Sequence, residues 1–557
     1  MNVSTAGLSS MDSARGAIAA LIAGGVQQVV LSPGSRNAPL VYAVAAAGAA
    51  LEAVVRVDER SAGFTALGLA VGSGAPTAVL TTSGTAVGNL LPAVMEADHA
   101  GVPLLVLSAD RPEELRGTGA NQTTDQVDLF GSHVRFAVDV AAGDDPRAAV
   151  QTGLDAAQGH LQGVPAGPVQ LNFGFREPLT PALDGSGYLP MKAPQPVRSA
   201  VETVIPQHLE PGRQHRTVVL AGHGAGPQAE LFARRHRLPL LAEPSSNARF
   251  GPNAIGPYRL LLPHFEALVE RVVVFGRPTL SRPVAALLDR SDLPRALYLP
   301  RPVAWFEPGR RSERIIDGWN ELGEFAGAGP QGWLEAWLAA GIQAESALDE
   351  VLGEAMGEQP SGLLLAREIW KRPEHLVIGS SNPIRDADLA ARPRSESPRV
   401  HANRGLAGID GTISTASGLA LGSGKPSRLL LGDLTLLHDA GGLLLPRGER
   451  VPDLQIVLLN DSGGGIFSLL EHGRLGLQEG YRTAVERFFG TPHDVRMSAL
   501  AEAYGVDHRL VGTVAELVEM LQAPVRGRSV VEIRTERTAL RGLHDQVKTA
   551  VDAAVAG

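Results

Sequence analysis

Short, largely apolar runs alternate with alanine-rich stretches along the first 110 residues of the chain. The runs, predicted to be strands, lie at 26–31, 77–82 and 104–109, and the alanine-rich stretches, predicted to be helices, lie at 38–50 and 85–97. Apolar strands of this length are buried on both faces, which is the usual state of parallel sheets covered by helices. The alternation therefore predicts the α/β class, with doubly wound parallel sheets.

Two further blocks repeat this pattern. In the second block, strands are predicted near 217–221, 272–275 and 296–299, followed by an amphipathic helix around 333–355. The third block opens near Leu363, and a Pro- and Gly-rich region at 178–211 is predicted to be a linker. A chain of 557 residues is too long for a single core. We therefore predict three similar domains, with boundaries at 1–180, 190–355 and 356–557.

Composition excludes several classes of function. The net charge is −9 and there is no basic block, so neither nucleic acid nor an anionic membrane surface is an expected partner. The absence of cysteine excludes disulfides, thiolate metal sites and a cysteine nucleophile. The N-terminal region has no signal-peptide pattern, and residues 18–30 are interrupted by glycines and glutamines. We therefore expect a cytoplasmic protein.

Two acidic residues follow two neighbouring apolar runs in the third block. Asp433 comes after the run at 426–431, and Asp461 comes after the run at 454–459. Ligand sites in parallel α/β sheets lie at the carboxyl ends of the strands, and Mg²⁺ prefers hard oxygen ligands. With the carbonyl of Gly463, the two carboxylates would provide three metal ligands beside a glycine cluster that lets the backbone approach a diphosphate closely. The alternative is that each acid only caps a helix.

Together with Asp58-Glu59-Arg60 in the first block, this acid pair resembles the pattern of thiamine diphosphate enzymes. Other segments narrow the resemblance, and they lie at 32–40, 58–63, 82–87, 109–112, 119–122, 381–385, 403–411 and 465–470. In this order, and over nearly the whole chain, they resemble the family of 2-succinyl-5-enolpyruvyl-6-hydroxy-3-cyclohexene-1-carboxylate synthases of menaquinone biosynthesis. One departure is Asp461, where many thiamine enzymes have asparagine, but an aspartate still offers an oxygen ligand.

The resemblance implies an architecture and a reaction. The three domains would be a pyrimidine-binding (PYR) domain, a central (TH3-like) domain and a diphosphate-binding (PP) domain. Thiamine diphosphate and Mg²⁺, or Mn²⁺, would lie between the first domain of one subunit and the third domain of its partner. The enzyme would therefore be a homodimer, or a homotetramer built as a dimer of dimers. It would decarboxylate 2-oxoglutarate and add the succinyl carbanion equivalent to isochorismate in a 1,4 sense.

The resemblance also assigns roles to individual residues. Glu59 would be the catalytic group that hydrogen-bonds N1′ of the aminopyrimidine, and Ile409 would support the bent cofactor. The other cofactor contacts would be Thr82, Ser83, Gly84, Gly432, Asp433, Leu434, Asp461, Gly463, Gly464 and Ile466. The succinyl part would face Ser381, Arg385 and Arg404, with Phe467 and Leu470 as apolar walls. Isochorismate would face Ser35, Arg36, Arg111, Asn121, Gln122 and Arg282.

Three alternatives remain open at this stage. A thiamine diphosphate decarboxylase or acetolactate-type synthase acting on another 2-oxo acid would not need Arg385 and Arg404 together. A catalytically silent scaffold subunit would not need the intact acids. A nicotinamide enzyme could use the glycines at 222–226, but Pro227 replaces the last glycine of G-x-G-x-x-G, so a tight strand-to-helix turn is favoured. No motif surrounds His223, His401 and His438, which we therefore expect to be structural.

Overall fold

The computed structural model describes residues 7–182, 213–307, 309–356, 360–372 and 374–556. Within these ranges the strands form three separate sheets of six, five and six strands, and all paired strands are parallel. The predicted α/β class with three parallel sheets is confirmed. Most of the predicted linker, from residue 183 onward, lies outside the described residues. No helix in the described ranges combines the length and the apolar character needed to cross a membrane.

The first sheet has the strand order β2-β1-β3-β4-β6-β5. Its strands are β1 Gln28–Leu31, β2 Glu52–Val55, β3 Thr77–Thr81, β4 Leu104–Asp110, β5 Ala137–Val140 and β6 Val169–Gly174. Its helices are α1 Ser10–Ala23, α2 Ala38–Ala47, α3 Glu59–Ser73, α4 Thr85–Gly88, α5 Leu91–Ala100 and α6 Arg147–Ala157. The single helix predicted at 85–97 is wrong, because Pro92 occupies the first turn of α5 and cannot donate the hydrogen bond that a continuous helix requires.

The second sheet has the order β11-β10-β9-β7-β8. Its strands are β7 Thr217–Ala221, β8 Leu240–Ala242, β9 Arg271–Phe275, β10 Arg295–Tyr298 and β11 Arg314–Ile316. Its helices are α7 Gln228–His236, α8 Tyr258–Phe265, α9 Arg282–Asp289, α10 Trp319–Ala326 and α11 Trp333–Met356. The glycine segment after β7 is a tight turn into α7, and a Cβ at Gly222 would lie 2.0 Å from the nitrogen of Pro278. The predicted strand-to-helix turn is confirmed.

The third sheet has the order β13-β12-β14-β15-β17-β16. Its strands are β12 His375–Ile378, β13 Val400–His401, β14 Ser427–Gly432, β15 Leu454–Asn460, β16 Asp507–Val511 and β17 Arg528–Arg534. Its helices are α12 Gly362–Ile369, α13 Asn382–Ala390, α14 Thr412–Ser423, α15 Asp433–His438, α16 Ile466–Leu469, α17 Glu471–Leu475, α18 Glu479–Val485, α19 Met497–Ala503, α20 Val514–Gln522 and α21 Arg537–Ala556. The crossover predicted between β14 and β15 is the short α15 followed by a 3₁₀ turn.

Helices α3 and α14 join the first and third sheets through backbone contact. A Cβ at Gly68 would lie 2.0 Å from the carbonyl oxygen of Thr415, and a Cβ at Gly418 would lie 2.1 Å from that of Thr65. Only glycine fits at either position, because any side chain would occupy the space of the facing helix backbone. Glu59 is the first residue of α3 and Ile409 lies three residues before α14, so this contact fixes two predicted site residues relative to each other.

Candidate active site

The two predicted metal ligands lie at the same edge of the third sheet. Strands β14 and β15 are neighbours with Gly432 opposite Leu459, so the residues that follow each strand come together. The Oδ1 atom of Asp433 accepts the N–H of Leu434 at 2.8 Å, and its Oδ2 atom accepts the N–H of Gly463 at 2.7 Å. The structure therefore connects Asp433 directly to the loop that carries Asp461.

Neither acid is a helix cap. The N-cap of α15 is Gly432 and that of α16 is Gly465. Asp433 is the first residue of α15 and its carboxylate accepts the N–H of Leu434, so it contributes to the start of this helix without being its N-cap. The carbonyl of Gly463, predicted as the third ligand, accepts the N–H of Gly465 at 3.2 Å in this structure, and the amide of Gly463 is the group that faces Asp433.

Asp433 is buried, Asp461 is partly buried, and the charge of each acid acts against that of the other. Burial raises the pKa of Asp433, and burial followed by the charge of Asp433 raises the pKa of Asp461 to about 7. Among the described atoms, the Oδ1 atom of Asp461 is buried and has no hydrogen-bond partner. An unsatisfied buried carboxylate oxygen is costly unless a cation or a proton occupies it. This donor set of hard oxygens fits Mg²⁺ or Mn²⁺.

His493 is a residue of this site that sequence reasoning missed. Its Nε2 atom lies 3.0 Å from Oδ2 of Asp433 and forms an ion pair with that carboxylate when protonated. It is separated from Asp433 by 60 residues, and no motif in the sequence marks it. Only the folded chain shows that this imidazole lies beside the acid pair.

The glycines after β15 leave no room for side chains. A Cβ at Gly465 would lie 2.0 Å from Oδ2 of Asp461, and a Cβ at Gly463 would lie 2.3 Å from the carbonyl oxygen of Gly490. Gly463 has a φ of 155° and Ser462, which is not glycine, has a φ of 56°. A left-handed residue next to a cluster of obligatory glycines indicates a loop shaped for function rather than for its own stability.

A cavity of about 730 Å³ opens beside this loop. Its lining includes Asp461, Gly464, Phe467, Arg537 and Arg541. The Phe467 ring packs against Phe489, with 5.4 Å between the centroids. Phe467 lines this cavity, whereas Leu470 directly precedes α17 and its carbonyl accepts from Arg541 at 2.8 Å. Leu434 and Ile466 lie in the first turns of α15 and α16.

A second group of predicted residues meets at the carboxyl edge of the first sheet. Arg111, which is 9% exposed, donates to the Ser83 hydroxyl and lies 3.5 Å from Oε1 of Gln122. Burial, followed by the charge of Arg111, lowers the pKa of Arg36. Two guanidinium groups therefore share one end of the sheet, an arrangement suited to an anionic ligand.

The remaining members of this group surround the two arginines. Thr82 follows β3, and a Cβ at Gly34 would lie 2.4 Å from Cβ of Thr82. Gly84, with a φ of 77°, starts α4 and donates to Oε1 of Gln126 at 3.4 Å. Ser35 and Asn121 are exposed at the same edge. Gln126 is a buried support for this loop that sequence reasoning did not identify.

A third group combines Ser381, Arg385 and Arg404. Arg404 is 3% exposed, and its Nη2 atom donates to Oγ1 of Thr279 at 2.7 Å. Arg385 donates to the carbonyl of Ser381 at 2.6 Å, and Ser381 has a φ of 73°. Burial is the main cause that lowers the pKa of both arginines. Arg404 is buried and Arg385 is partly buried, and within the described residues neither guanidinium forms an ion pair, so both charges are open to an anionic ligand.

Arg282 is placed differently. It forms an ion pair with Glu471, with 3.0 Å between Nη2 and Oε2, and both side chains are about 70% exposed. Its charge contributes to lowering the pKa of Arg385, after burial and the charge of Arg259, so it lies close to the third group. In this structure Arg282 therefore borders the site while its guanidinium is engaged with another residue.

Glu59 is half-buried at the start of α3, whose N-cap is Asp58. Its neighbour Arg60 donates to the carbonyl of His438 at 2.8 Å, which ties this end of α3 to the third sheet. Within the described residues, no hydrogen bond or ion pair connects Glu59 to Asp433 or Asp461.

His223, His401 and His438 were expected to be structural, and their surroundings differ. Burial lowers the pKa of His223 to about 4 and that of His401 to about 3, so both are neutral at pH 7. The exposed His438 lies 3.8 Å from Asp410.

One group of three potential metal ligands lies elsewhere in the described ranges. It consists of Asp98, His99 and His133 in the first unit. Asp98 already binds Arg135 at 2.7 Å through Oδ1 and His133 at 2.9 Å through Oδ2. We therefore interpret this group as a structural ion-pair network.

Comparison with known proteins agrees with this geometry. Residues 11–129 match the family model described as thiamine pyrophosphate enzyme, N-terminal TPP binding domain. A 2-succinyl-5-enolpyruvyl-6-hydroxy-3-cyclohexene-1-carboxylate synthase from Renibacterium salmoninarum is 74% identical over 555 residues, covering 100% of both chains. A protein of the same name from an Arthrobacter species is 59% identical, and the match covers 98% of this chain and 92% of that protein. One from Kineococcus radiotolerans is 47% identical, and the match covers 96% of this chain and 97% of that protein. The similarity extends over all three sheets.

Proposed function

Because the chain belongs to the family of 2-succinyl-5-enolpyruvyl-6-hydroxy-3-cyclohexene-1-carboxylate synthases, which are thiamine diphosphate enzymes, we propose that it decarboxylates 2-oxoglutarate and transfers the succinyl unit to isochorismate. The observation that carries the choice of substrate is the pair Arg385 and Arg404, of which Arg404 is buried and Arg385 partly buried, and neither forms an ion pair within the described residues. Thiamine diphosphate, when bound, supplies the nucleophilic carbon and the electron sink for this chemistry.

The acid pair would hold the metal ion that anchors the cofactor. Asp433 and Asp461 offer carboxylate oxygens, and the unpartnered Oδ1 atom of Asp461 is the observation that supports a cation there. The backbone around Gly432, Leu434, Gly464 and Ile466 would approach the diphosphate, because glycine allows close contact and the N–H groups that open a helix favour anions. Gly463 would add its carbonyl as a ligand after the loop adjusts.

The pyrimidine end of the cofactor would be held by the first domain of the partner subunit. Glu59 would exchange a proton with N1′ of the aminopyrimidine, Ile409 would support the cofactor, and residues 82–84 would pack around it. A homodimer would be the smallest active unit, or a homotetramer of two such dimers, as the family resemblance implies. Under this proposal residues 1–180, 190–355 and 356–557 are the PYR, central and PP domains.

The two substrates would be held by the two arginine groups. Arg385, Arg404 and Ser381 would bind the distal carboxylate of 2-oxoglutarate, because guanidinium groups bind carboxylates in a bidentate geometry. Isochorismate would face the first-sheet group of Ser35, Arg36, Arg111, Asn121 and Gln122, with Arg282 at the border. The apolar walls would be Phe467 and Leu470. A decarboxylase of 2-oxo acids with an uncharged side chain would have no use for this pair of arginines.

The test is a product assay. Purified protein is incubated with thiamine diphosphate, Mg²⁺, 2-oxoglutarate and isochorismate, and the product is identified by mass spectrometry. We expect the adduct that contains the succinyl unit, and no adduct when Mg²⁺ is chelated or isochorismate is omitted. Pyruvate in place of 2-oxoglutarate is the matched control for substrate choice. Absence of the adduct, or equal turnover of pyruvate, would contradict the proposal.

A further inference from the structure

Glu243 is a buried acid that the proposed reaction does not use. It follows β8 in the central sheet and is 2% exposed. Its Oε1 atom accepts the backbone N–H of Thr279 at 2.7 Å and that of Leu280 at 2.9 Å. Thr279 lies in the loop after β9, so the carboxyl group of one loop fixes the backbone of another at the same edge of the sheet.

The loop that Glu243 holds is in direct contact with Arg404. The Thr279 hydroxyl accepts from Nη2 of Arg404 at 2.7 Å, and the Ser380 hydroxyl accepts from Nη1 at 3.4 Å. The Nε atom of Arg404 is buried without a partner in the described part of the chain. Two hydroxyl groups therefore set the orientation of this guanidinium, and the shorter of the two contacts depends on the central domain.

We infer that Glu243 is a positioning residue: it fixes the Thr279 loop so that the Thr279 hydroxyl orients Arg404 toward the distal carboxylate of the 2-oxo acid. This inference rests on the proposed function, because it takes Arg404 as a substrate contact. Glu243 itself touches no substrate. It gives the central domain, which carries neither Glu59 nor the acid pair, a role in binding the 2-oxo acid.

The protonation of Glu243 is consistent with this role. Burial, followed by the charge of Asp388, raises the pKa of Glu243 to about 8, whereas Arg404 opposes this shift. Because a raised pKa in an acid favours the protonated form, Glu243 is mostly neutral at pH 7. A neutral carboxyl group still accepts the two backbone N–H groups and leaves the charge of Arg404 to the substrate. Glutamine, which also offers a neutral oxygen acceptor, should therefore replace it.

The test compares Glu243→Ala with Glu243→Gln in the holoenzyme. We expect the alanine variant to raise the KM for 2-oxoglutarate by about tenfold to a hundredfold, the range for losing a hydrogen bond to a charged group, with kcat within about threefold of the parent. The KM for isochorismate should be unchanged. The inhibition constant of glutarate, which is not turned over, should rise in parallel with the KM for 2-oxoglutarate. The glutamine variant should behave like the parent.

Substitutions of Thr279 test the same link without altering Glu243. Thr279→Val should raise the KM for 2-oxoglutarate as Glu243→Ala does, and Thr279→Ser should not. Combining Thr279→Val with Glu243→Ala should raise this KM little further, because both substitutions act through one contact. Glu230→Ala is the matched control, since Glu230 is also buried in the central domain but pairs with Arg234. If Glu243→Ala fails to fold, the comparison of Thr279→Val with Thr279→Ser tests the inference by itself.

Three results would overturn the inference: an unchanged KM for 2-oxoglutarate in Glu243→Ala and Thr279→Val, equal losses for both substrates, or a glutamine variant as impaired as the alanine variant. Failure of the parent enzyme to form the adduct would instead overturn the proposed function. The two failures are therefore distinguishable in one set of assays.

Discussion

Replacing Gly418 by alanine should destabilise the protein, although alanine is the better helix former. Alanine in a helix interior gains roughly 0.5 to 1 kcal/mol over glycine. The new Cβ would lie 2.1 Å from the carbonyl oxygen of Thr65, however, and that oxygen belongs to helix backbone and cannot rotate away. Helices α3 and α14 would have to separate by roughly 1 Å, and a gap of that size forfeits about a quarter to a half of each contact's dispersion energy.

Overpacking of this kind costs typically about 1 to 3 kcal/mol and occasionally more, so the steric cost exceeds the gain in helix propensity. Gly542→Ala is the matched control, because Gly542 lies in α21 and a Cβ there would have no atom within 4 Å. We expect a lower urea midpoint by circular dichroism for Gly418→Ala and a slightly higher one for Gly542→Ala. Activity should also fall in Gly418→Ala, because separating α3 from α14 moves Glu59 and Ile409, each of which contributes to one of the two sites of the proposed dimer. An unchanged or higher midpoint in Gly418→Ala would refute the packing argument.

Four further outcomes are expected. Asp433→Ala should abolish tight, chelator-sensitive binding of thiamine diphosphate in calorimetry, because the diphosphate charge loses its metal anchor; unchanged affinity would contradict the metal assignment. The pKa of Asp461 is raised to about 7, and a metal binds only the deprotonated carboxylate. The Mg²⁺-dependent affinity for thiamine diphosphate should therefore fall by up to about tenfold per pH unit below pH 7. Asp461→Asn should remove this pH dependence. Arg385→Ala should weaken kcat/KM for 2-oxoglutarate by an amount equivalent to about 2 to 5 kcal/mol, and far less for a 2-oxo acid whose side chain is uncharged. Equal losses in kcat/KM for the two substrates would exclude the binding of a distal carboxylate by Arg385. Glu59→Gln should keep most cofactor binding while slowing the C2–H exchange of the bound cofactor by a factor of about 10² to 10⁴. The exchange rate is measured by acid quench and NMR, and an exchange rate equal to that of the parent would make Glu59 a structural acid.

The sequence alone determined the class of fold and one edge of the site. Apolar runs and alanine-rich stretches have short, fixed periods, so their alternation indicates parallel α/β layers before any contact is known. The placement of Asp433 and Asp461 followed from the rule that parallel strands bring their carboxyl ends to one edge of the sheet. The break at Pro92 was also readable from the sequence, because the missing N–H of proline is a local property.

Other features were decided only by the tertiary structure. His493 beside Asp433, Glu243 under the Thr279 loop and the glycine contact between α3 and α14 join residues that are distant in the sequence. Nothing in a local window distinguishes these residues from an ordinary histidine, a buried acid or a helical glycine. Periodicity records which face of an element is buried, but the partner that covers that face depends on how whole elements pack, and packing is a property of the folded chain.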